Sequence, residues 1–88
     1  MENYFKMNLP QSEIDAISNL GLAHMGDCVF EILCRGYLCA KGETTVDRLH
    51  RDTIAMVKAT GLEALFGALY LAGQTQRINE LFKAVMEC

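Results

Sequence analysis

The stretch that decides the fold runs from Leu22 to Leu38 and reads LAHMGDCVFEILCRGYL. It has the apolar content of a core helix, yet Asp27 stands near its middle. A second stretch, residues 60–73, reads TGLEALFGALYLAG and has Glu63 as its only charge. A buried carboxylate is costly unless it is paired, hydrogen-bonded or bound to a cation. These two isolated carboxylates are therefore the sharpest functional signal in the chain.

Length and composition indicate one small domain with an apolar interior. The chain has 88 residues, 51% of them hydrophobic, and a formal net charge of −3. The chain has no uncharged run of about 18 residues, the length needed to span a membrane. Residues 1–9 lack the apolar core of a signal peptide. We therefore expect a cytoplasmic protein. The acidic balance argues against a simple nucleic-acid coat, but it leaves room for an enzyme with a local basic strip.

The hydrophobic periodicity predicts an all-α fold with short connections, because no segment alternates as a strand would. We predict a first helix after Pro10 that ends at Gly21, and a core helix from about Leu22 to Ala40 with a stop at Gly42. A third helix is predicted from about Thr45 to Lys58. A fourth holds Glu63 and ends at Gly73, and a fifth is capped by Thr75.

The four cysteines, Cys28, Cys34, Cys39 and Cys88, form no C-x-x-C pair. A zinc site is therefore not indicated. We expect small buried apolar residues in a reducing compartment.

The third helix has a basic side opposite its apolar side. Arg48, Arg51 and Lys58 fall in one arc at 100° per residue, and His50 lies next to it. One interpretation is contact with phosphates. The other is an ordinary solvated helix face.

The two carboxylates could meet if the small residues Gly26 and Gly67 let their helices pack closely. Facing carboxylates repel unless they share a proton or a metal. Mg²⁺ commonly takes one or two carboxylates and leaves its other positions to water and phosphate oxygens. The chemistry that fits is metal-assisted phosphodiester hydrolysis. The plainer alternatives are that Asp27 caps or hydrogen-bonds a neighbour and that Glu63 complements the dipole of its helix.

Two motifs resemble those of a known family. Residues 25–31, MGDCVFE, resemble the signature of ribonuclease III, the double-stranded-RNA endonucleases. Residues 60–67, TGLEALFG, continuing through Tyr70 and Leu71, resemble that family's second catalytic motif. The best match is its reduced branch, mini-ribonuclease III, which lacks a double-stranded-RNA-binding domain. The resemblance covers residues 20–81.

The resemblance assigns Asp27 and Glu63 as the catalytic, metal-binding pair. Full-size members have two further acids, at the positions of Ala23 and Thr60, and the mini branch is similar in lacking both. The family implies a ribonuclease III endonuclease-like helical domain that forms a homodimer. It also implies Mg²⁺, with Mn²⁺ as an alternative, and double-stranded or structured RNA as substrate. The mini branch is associated with maturation of ribosomal RNA, in particular the large-subunit precursor.

One departure from the family concerns the middle of the chain. In the family, further helices and a basic loop separate the two motifs, whereas here Ala59 runs directly into Thr60. We therefore predict that residues 1–88 form a single ribonuclease III-like domain that lacks an internal segment at this junction.

The interpretation we favour is a Mg²⁺-dependent endoribonuclease. Asp27 and Glu63 would hold the metal, and Arg48, His50, Arg51 and Lys58 would contact the RNA backbone. The first alternative is a catalytically silent RNA-binding or dimerisation module of the same fold. The second is a small helical protein-interaction domain, which the acidic net charge favours.

Overall fold

The structure, a computed structural model, describes residues 3–58 and 61–87, except for the side chain of Lys58. It is all-helical over these ranges, as the sequence predicts. The helices are α1 (Gln11–Asp15), α2 (Asn19–Ala40), α3 (Val46–Lys58), α4 (Glu63–Leu71) and α5 (Thr75–Met86). The predicted missing segment between Ala59 and Thr60 falls on a junction outside the described residues.

The long helix α2 begins earlier than the sequence predicts. Ser18 caps it, because its Oγ accepts a hydrogen bond from the Gly21 backbone N–H at 3.0 Å. The prediction that Gly21 ends the first helix is therefore wrong, since Gly21 lies in the first turn of α2. At the other end the predicted stop is confirmed: Gly42 has φ of 100°, which a residue with a β-carbon rarely adopts.

The helices α2 and α4 cross at two glycines. A β-carbon on Gly26 would overlap the backbone carbonyl of Glu63, and one on Gly67 would overlap that of Leu22. The two backbones therefore touch, because neither glycine has a side chain to hold them apart. The close packing that the sequence analysis set as the condition for the two carboxylates to meet is present at Gly26 and Gly67.

Aromatic rings fill the core beside this crossing. Phe30 of α2 packs edge-on against Phe66 of α4, with ring centroids 5.2 Å apart, and against Phe82 of α5 at 5.6 Å. Cys34 is buried in the same cluster, as predicted. The same prediction is wrong for Cys28 and Cys39, which are exposed on the outer side of α2.

The remaining segments close the domain around α2 and α4. The helix α3 packs on α2 with Thr53 fully buried. The predicted Thr75 cap is wrong, since Thr75 is already helical and the capping position is Gln74. The N-terminal segment is held by the Leu9 N–H, which donates to the Leu71 carbonyl at 2.7 Å. None of the described helices has the length and apolarity needed to cross a membrane.

Candidate active site

The structure brings the backbones at the two isolated carboxylates together. Gly26 touches the carbonyl of Glu63, and Asp27 is the next residue along α2. Glu63 is the first residue of α4, and no side chain caps this helix. The positive end of the helix dipole favours an ionised carboxylate there. Both acids thus lie within one residue of the closest contact between two helices.

Asp27 and Glu63 are both half-buried. Neither carboxylate forms an ion pair or a side-chain hydrogen bond with another described residue. The neighbouring Glu31 lies one turn beyond Asp27 and pairs instead with Arg35, at 3.9 Å. Because no neighbour among the described residues neutralises them, the two carboxylates are available to an external cation.

The protein supplies a small set of metal-binding groups. Within residues 3–58 and 61–87, no three His, Cys, Asp or Glu side chains lie close enough to hold one metal ion together. His24, one turn before Asp27, is exposed on α2. Full-size ribonuclease III has two further acids at the positions that Ala23 and Thr60 occupy in this chain. Thr60 lies outside the described residues. Two carboxylates are therefore the donor set that the described residues offer here.

The basic residues predicted to bind RNA lie on a different helix from the two carboxylates. Arg48, His50 and Arg51 are exposed on α3, while the side chain of Lys58 is not among those described. The opposite side of α3 packs as its periodicity predicts at Leu49, Thr53, Met56 and Val57, but Val46 is exposed.

Two acids that the sequence reasoning missed modify this basic surface. Glu43, in the turn after α2, lies 3.9 Å from Arg48, measured from Oε1 to Nε. Asp52 lies 3.3 Å from Arg51, from Oδ1 to Nε. Adjacency in sequence could have indicated the second pair. The first depends on the path of the turn and has no comparable signal.

Comparisons with known proteins identify relatives of one kind. No family model matches the chain, and no solved structure matches it. The mini-ribonuclease 3 of Clostridium tetani is 27% identical over 131 residues, covering 97% of this chain and 83% of the relative. That of Symbiobacterium thermophilum is 26% identical over 113 residues, covering 77% and 87%. That of Enterococcus faecalis is 38% identical over 58 residues, covering 66% and 43%.

The all-helical fold is consistent with these matches. The carboxylate of the first motif lies on α2 and that of the second on α4, and these are the helices that touch at Gly26 and Gly67. The chain is therefore similar to mini-ribonuclease 3 proteins, and these relatives support a ribonuclease III-type endoribonuclease.

Proposed function

We propose that this chain is a Mg²⁺-dependent endoribonuclease that cleaves double-stranded or structured RNA, with Asp27 and Glu63 as its catalytic, metal-binding pair. The observation that carries the proposal is the contact of Gly26 with the backbone of Glu63, which brings two otherwise isolated carboxylates onto adjoining helix turns. Similarity to the mini-ribonuclease 3 relatives supports ribonuclease III-type chemistry. On the same resemblance we propose ribosomal RNA, in particular the large-subunit precursor, as the substrate.

The donor set fits Mg²⁺, which commonly takes one or two carboxylates together with waters and phosphate oxygens. When bound, the ion would activate a water and stabilise the leaving oxygen of the phosphodiester. The chain's own contribution is to hold two carboxylates in half-buried positions. Glu63 lies in the first turn of α4, at the positive end of the helix dipole, and the glycine contact brings the backbone beside Asp27 against it.

Cleavage of a double-stranded RNA by single variants tests this proposal. We expect wild-type protein to cleave in Mg²⁺ and to stop in EDTA. Asp27→Asn and Glu63→Gln should both lose cleavage while they keep the helical circular dichroism spectrum. Glu80→Gln is the matched control, because Glu80 is an exposed acid of α5 that pairs with Arg77. Persistent Mg²⁺-dependent cleavage by Asp27→Asn would remove Asp27 from the mechanism.

The alternative function is a catalytically silent RNA-binding module, and the small donor set favours it. Two carboxylates hold a metal less tightly than the larger acid sets of full-size ribonuclease III. The same assay separates the two functions. A silent module would bind the RNA in a mobility-shift experiment and leave it intact at every Mg²⁺ concentration.

We propose that α3 contacts the RNA backbone through Arg48, His50, Arg51 and Lys58. The exposure of the first three supports this role. Each phosphate contact that is lost should lower the slope of log affinity against log salt by about one. Arg48→Gln and Arg51→Gln should therefore each weaken binding and flatten the salt dependence. Arg77→Gln on α5 is a control that should leave both unchanged.

We propose that the protein forms a homodimer through the outer face of α2. Leu20, His24, Cys28 and Ile32 lie four residues apart on this face and carry no fixed charge. Leu20 is 83% exposed and Ile32 is 53% exposed. A groove of about 410 Å³, lined in part by Cys28, Ile32 and Phe5, adjoins it. A second copy would cover this apolar surface.

Sedimentation velocity at micromolar concentration tests the dimer. We expect wild-type protein to sediment as a dimer and Ile32→Glu to sediment as a monomer. Val46→Glu is the matched control, because Val46 is an apolar residue that is 79% exposed on α3. A wild-type monomer would contradict the dimer, and equal effects of both variants would place the interface elsewhere.

We propose that the native protein has an internal segment between Ala59 and Thr60. The alignments with the first two relatives support it, because they extend over 131 and 113 residues although this chain has 88. Tryptic digestion of the native protein gives a direct test. Trypsin cleaves after Lys58 and Arg77, so a true junction yields one peptide of residues 59–77. Detection of that peptide would contradict the proposal.

We propose that the protein acts in the cytoplasm. The exposed, unpaired thiols of Cys28 and Cys39 support a reducing compartment, because such thiols oxidise readily elsewhere. Fractionation of the source cells, followed by immunodetection, tests the location. Recovery in an oxidising compartment would contradict it.

A further inference from the structure

Four charged side chains cluster where the turn after α2 meets α3. They are Glu43, Arg48, Arg51 and Asp52, and each arginine Nε lies within 3.9 Å of a carboxylate oxygen. The guanidinium groups point to solvent, since the Arg48 and Arg51 side chains are 63% and 69% exposed. The acids are more covered, with Glu43 18% and Asp52 34% exposed. The cluster thus presents its positive side outward and its negative side inward.

The carboxylate of Glu43 is poorly satisfied when it is ionised. Its Oε2 atom is buried and accepts no hydrogen bond from any described residue. The neighbouring acid is Asp52, and a hydrogen bond from a protonated Glu43 to Asp52 is the largest cause that raises the pKa of Glu43. Two ionised carboxylates cannot hydrogen-bond each other, but a single shared proton satisfies both.

The charges around this carboxyl pair, Glu43 and Asp52, favour a proton on Glu43. The hydrogen bond to Asp52, partial burial and the Asp52 charge raise the pKa of Glu43, and Arg48 and Arg51 oppose them. The same hydrogen bond lowers the pKa of Asp52, which Arg51 and Arg48 also lower. All the charged groups that act on Glu43 come from α3. Asp52 is thus the acceptor and Glu43 the donor of the shared proton.

The proton changes the charge that α3 presents to a ligand. When Glu43 is ionised, the two acids and the two arginines of the cluster cancel. When Glu43 is protonated, the cluster has a net charge of +1. Arg48 then faces a neutral carboxyl group and is available to an external phosphate. RNA affinity through this surface should therefore rise in acid.

We propose that Glu43 is a positioning residue that controls how strongly α3 binds RNA phosphates, through a proton that it shares with Asp52. This inference rests on the proposed RNA-binding function of α3. Protonation of Glu43 releases Arg48 from its carboxylate partner, and deprotonation restores the pair. The expected size is that of one exposed ion pair, about a two- to fivefold change in affinity.

Fluorescence anisotropy with a short double-stranded RNA tests the proposal, in EDTA and on the Asp27→Asn background so that the RNA stays intact. The second variant adds Glu43→Gln, which has the shape of the protonated acid and cannot ionise. At about pH 8 the Gln variant should bind about two- to fivefold more tightly. The difference should close as the pH falls through the raised pKa of Glu43, while effects of the groups that both proteins share are common to them. Glu80→Gln is the control and should not change affinity.

Direct titration of Glu43 tests the shared proton without RNA. Carbon-13 NMR of the Glu43 side-chain carboxyl should show a midpoint above that of an ordinary glutamate. The midpoint should fall in the Asp52→Asn variant, because the charge of the acceptor is lost. An ordinary midpoint in the wild-type protein would overturn the proposal even if Glu43→Gln failed to fold.

The outcomes separate this inference from the function on which it rests. If Arg48→Gln weakens RNA binding but Glu43→Gln leaves it unchanged at every pH, Glu43 has no control and α3 still binds RNA. If neither arginine variant changes binding, α3 is not the RNA surface and the proposal falls with it. A raised NMR midpoint together with the predicted affinity difference would support it.

Discussion

The contact of α2 with α4 and the contact of α2 with α3 are built on different principles. The first brings two backbones together at Gly26 and Gly67 and surrounds them with aromatic side chains. The second buries the hydroxyl of Thr53 under a helix whose outer side is charged. The first contact fixes the two isolated carboxylates with little tolerance for change. The second leaves α3 a surface whose charge can vary without disturbing the core.

The largest expected effect comes from adding one methyl group at the α2–α4 contact. Gly26→Ala places a β-carbon on the Glu63 carbonyl, so the helices must separate and repack. We expect a loss of about 3 kcal/mol or more in the free energy of unfolding, measured by urea denaturation. RNA cleavage should fall with it.

Gly36→Ala is the matched control on the same helix. Nothing lies within 4 Å of a β-carbon at Gly36, so helix propensity alone should act. It should stabilise the protein by about 0.5–1 kcal/mol. If Gly26→Ala were as stable as Gly36→Ala, the close approach of α2 and α4 would be wrong.

The labelling rates of the α2 cysteines report how well the core excludes a thiol reagent. Burial, with the nearby Glu31 charge, raises the pKa of Cys34 from 9.0 to about 11. At equal access this change alone lowers the thiolate fraction about 100-fold. We expect iodoacetamide at about pH 8 to label Cys39 and to spare Cys34 until denaturant is added. Rapid labelling of Cys34 in the native protein, located by peptide mass spectrometry, would indicate an open core.

The α2–α3 contact should tolerate change at Thr53, and one substitution should improve it. The Thr53 Oγ1 atom is buried without a hydrogen-bond partner among the described residues. Thr53→Val removes this unsatisfied group and keeps the shape, so we expect a gain of about 1 kcal/mol in the free energy of unfolding. Thr53→Ala is the control, since it also removes a methyl group and should lose part of that gain. A loss of stability in Thr53→Val would show that the hydroxyl has a partner.

The smallest expected effect is the pH dependence of stability from the carboxyl pair. The pKa of Glu43 is raised in the folded state, so its stabilising contribution is present in acid and is lost as the pH rises through that raised value. The pKa of Asp52 is lowered, so its contribution is present above the unfolded pKa and is lost in stronger acid. The pair should therefore stabilise the fold most in mildly acidic solution. Because Gln has the shape of protonated Glu43, Glu43→Gln should match the wild type in acid, and its unfolding midpoint should rise above that of the wild type as the pH increases.

The sequence by itself determined the helical class, the two carboxylate-bearing helices and the resemblance to mini-ribonuclease 3 proteins. Apolar periodicity is a local property of the chain, and so is the isolation of Asp27 and Glu63 among apolar neighbours. The sequence also shows that Gly26 and Gly67 are small enough for their helices to pack closely, and the structure shows that they do. The motifs around these residues are equally local, and their order along the chain was enough to indicate the family.

Only the tertiary structure decided which groups meet across the chain. Glu43 reaches Arg48 because the turn at Gly42 folds back on α3, and no sequence spacing encodes that path. Cys28 and Cys34 have the same chemistry, yet one is exposed and the other buried, because the sides of α2 face solvent and core. The boundary between α1 and α2 also differs by several residues from the predicted one, because Ser18 caps α2 and Gly21 lies inside that helix. Local pattern predicts which residues form helices, whereas long-range packing decides what each side chain touches.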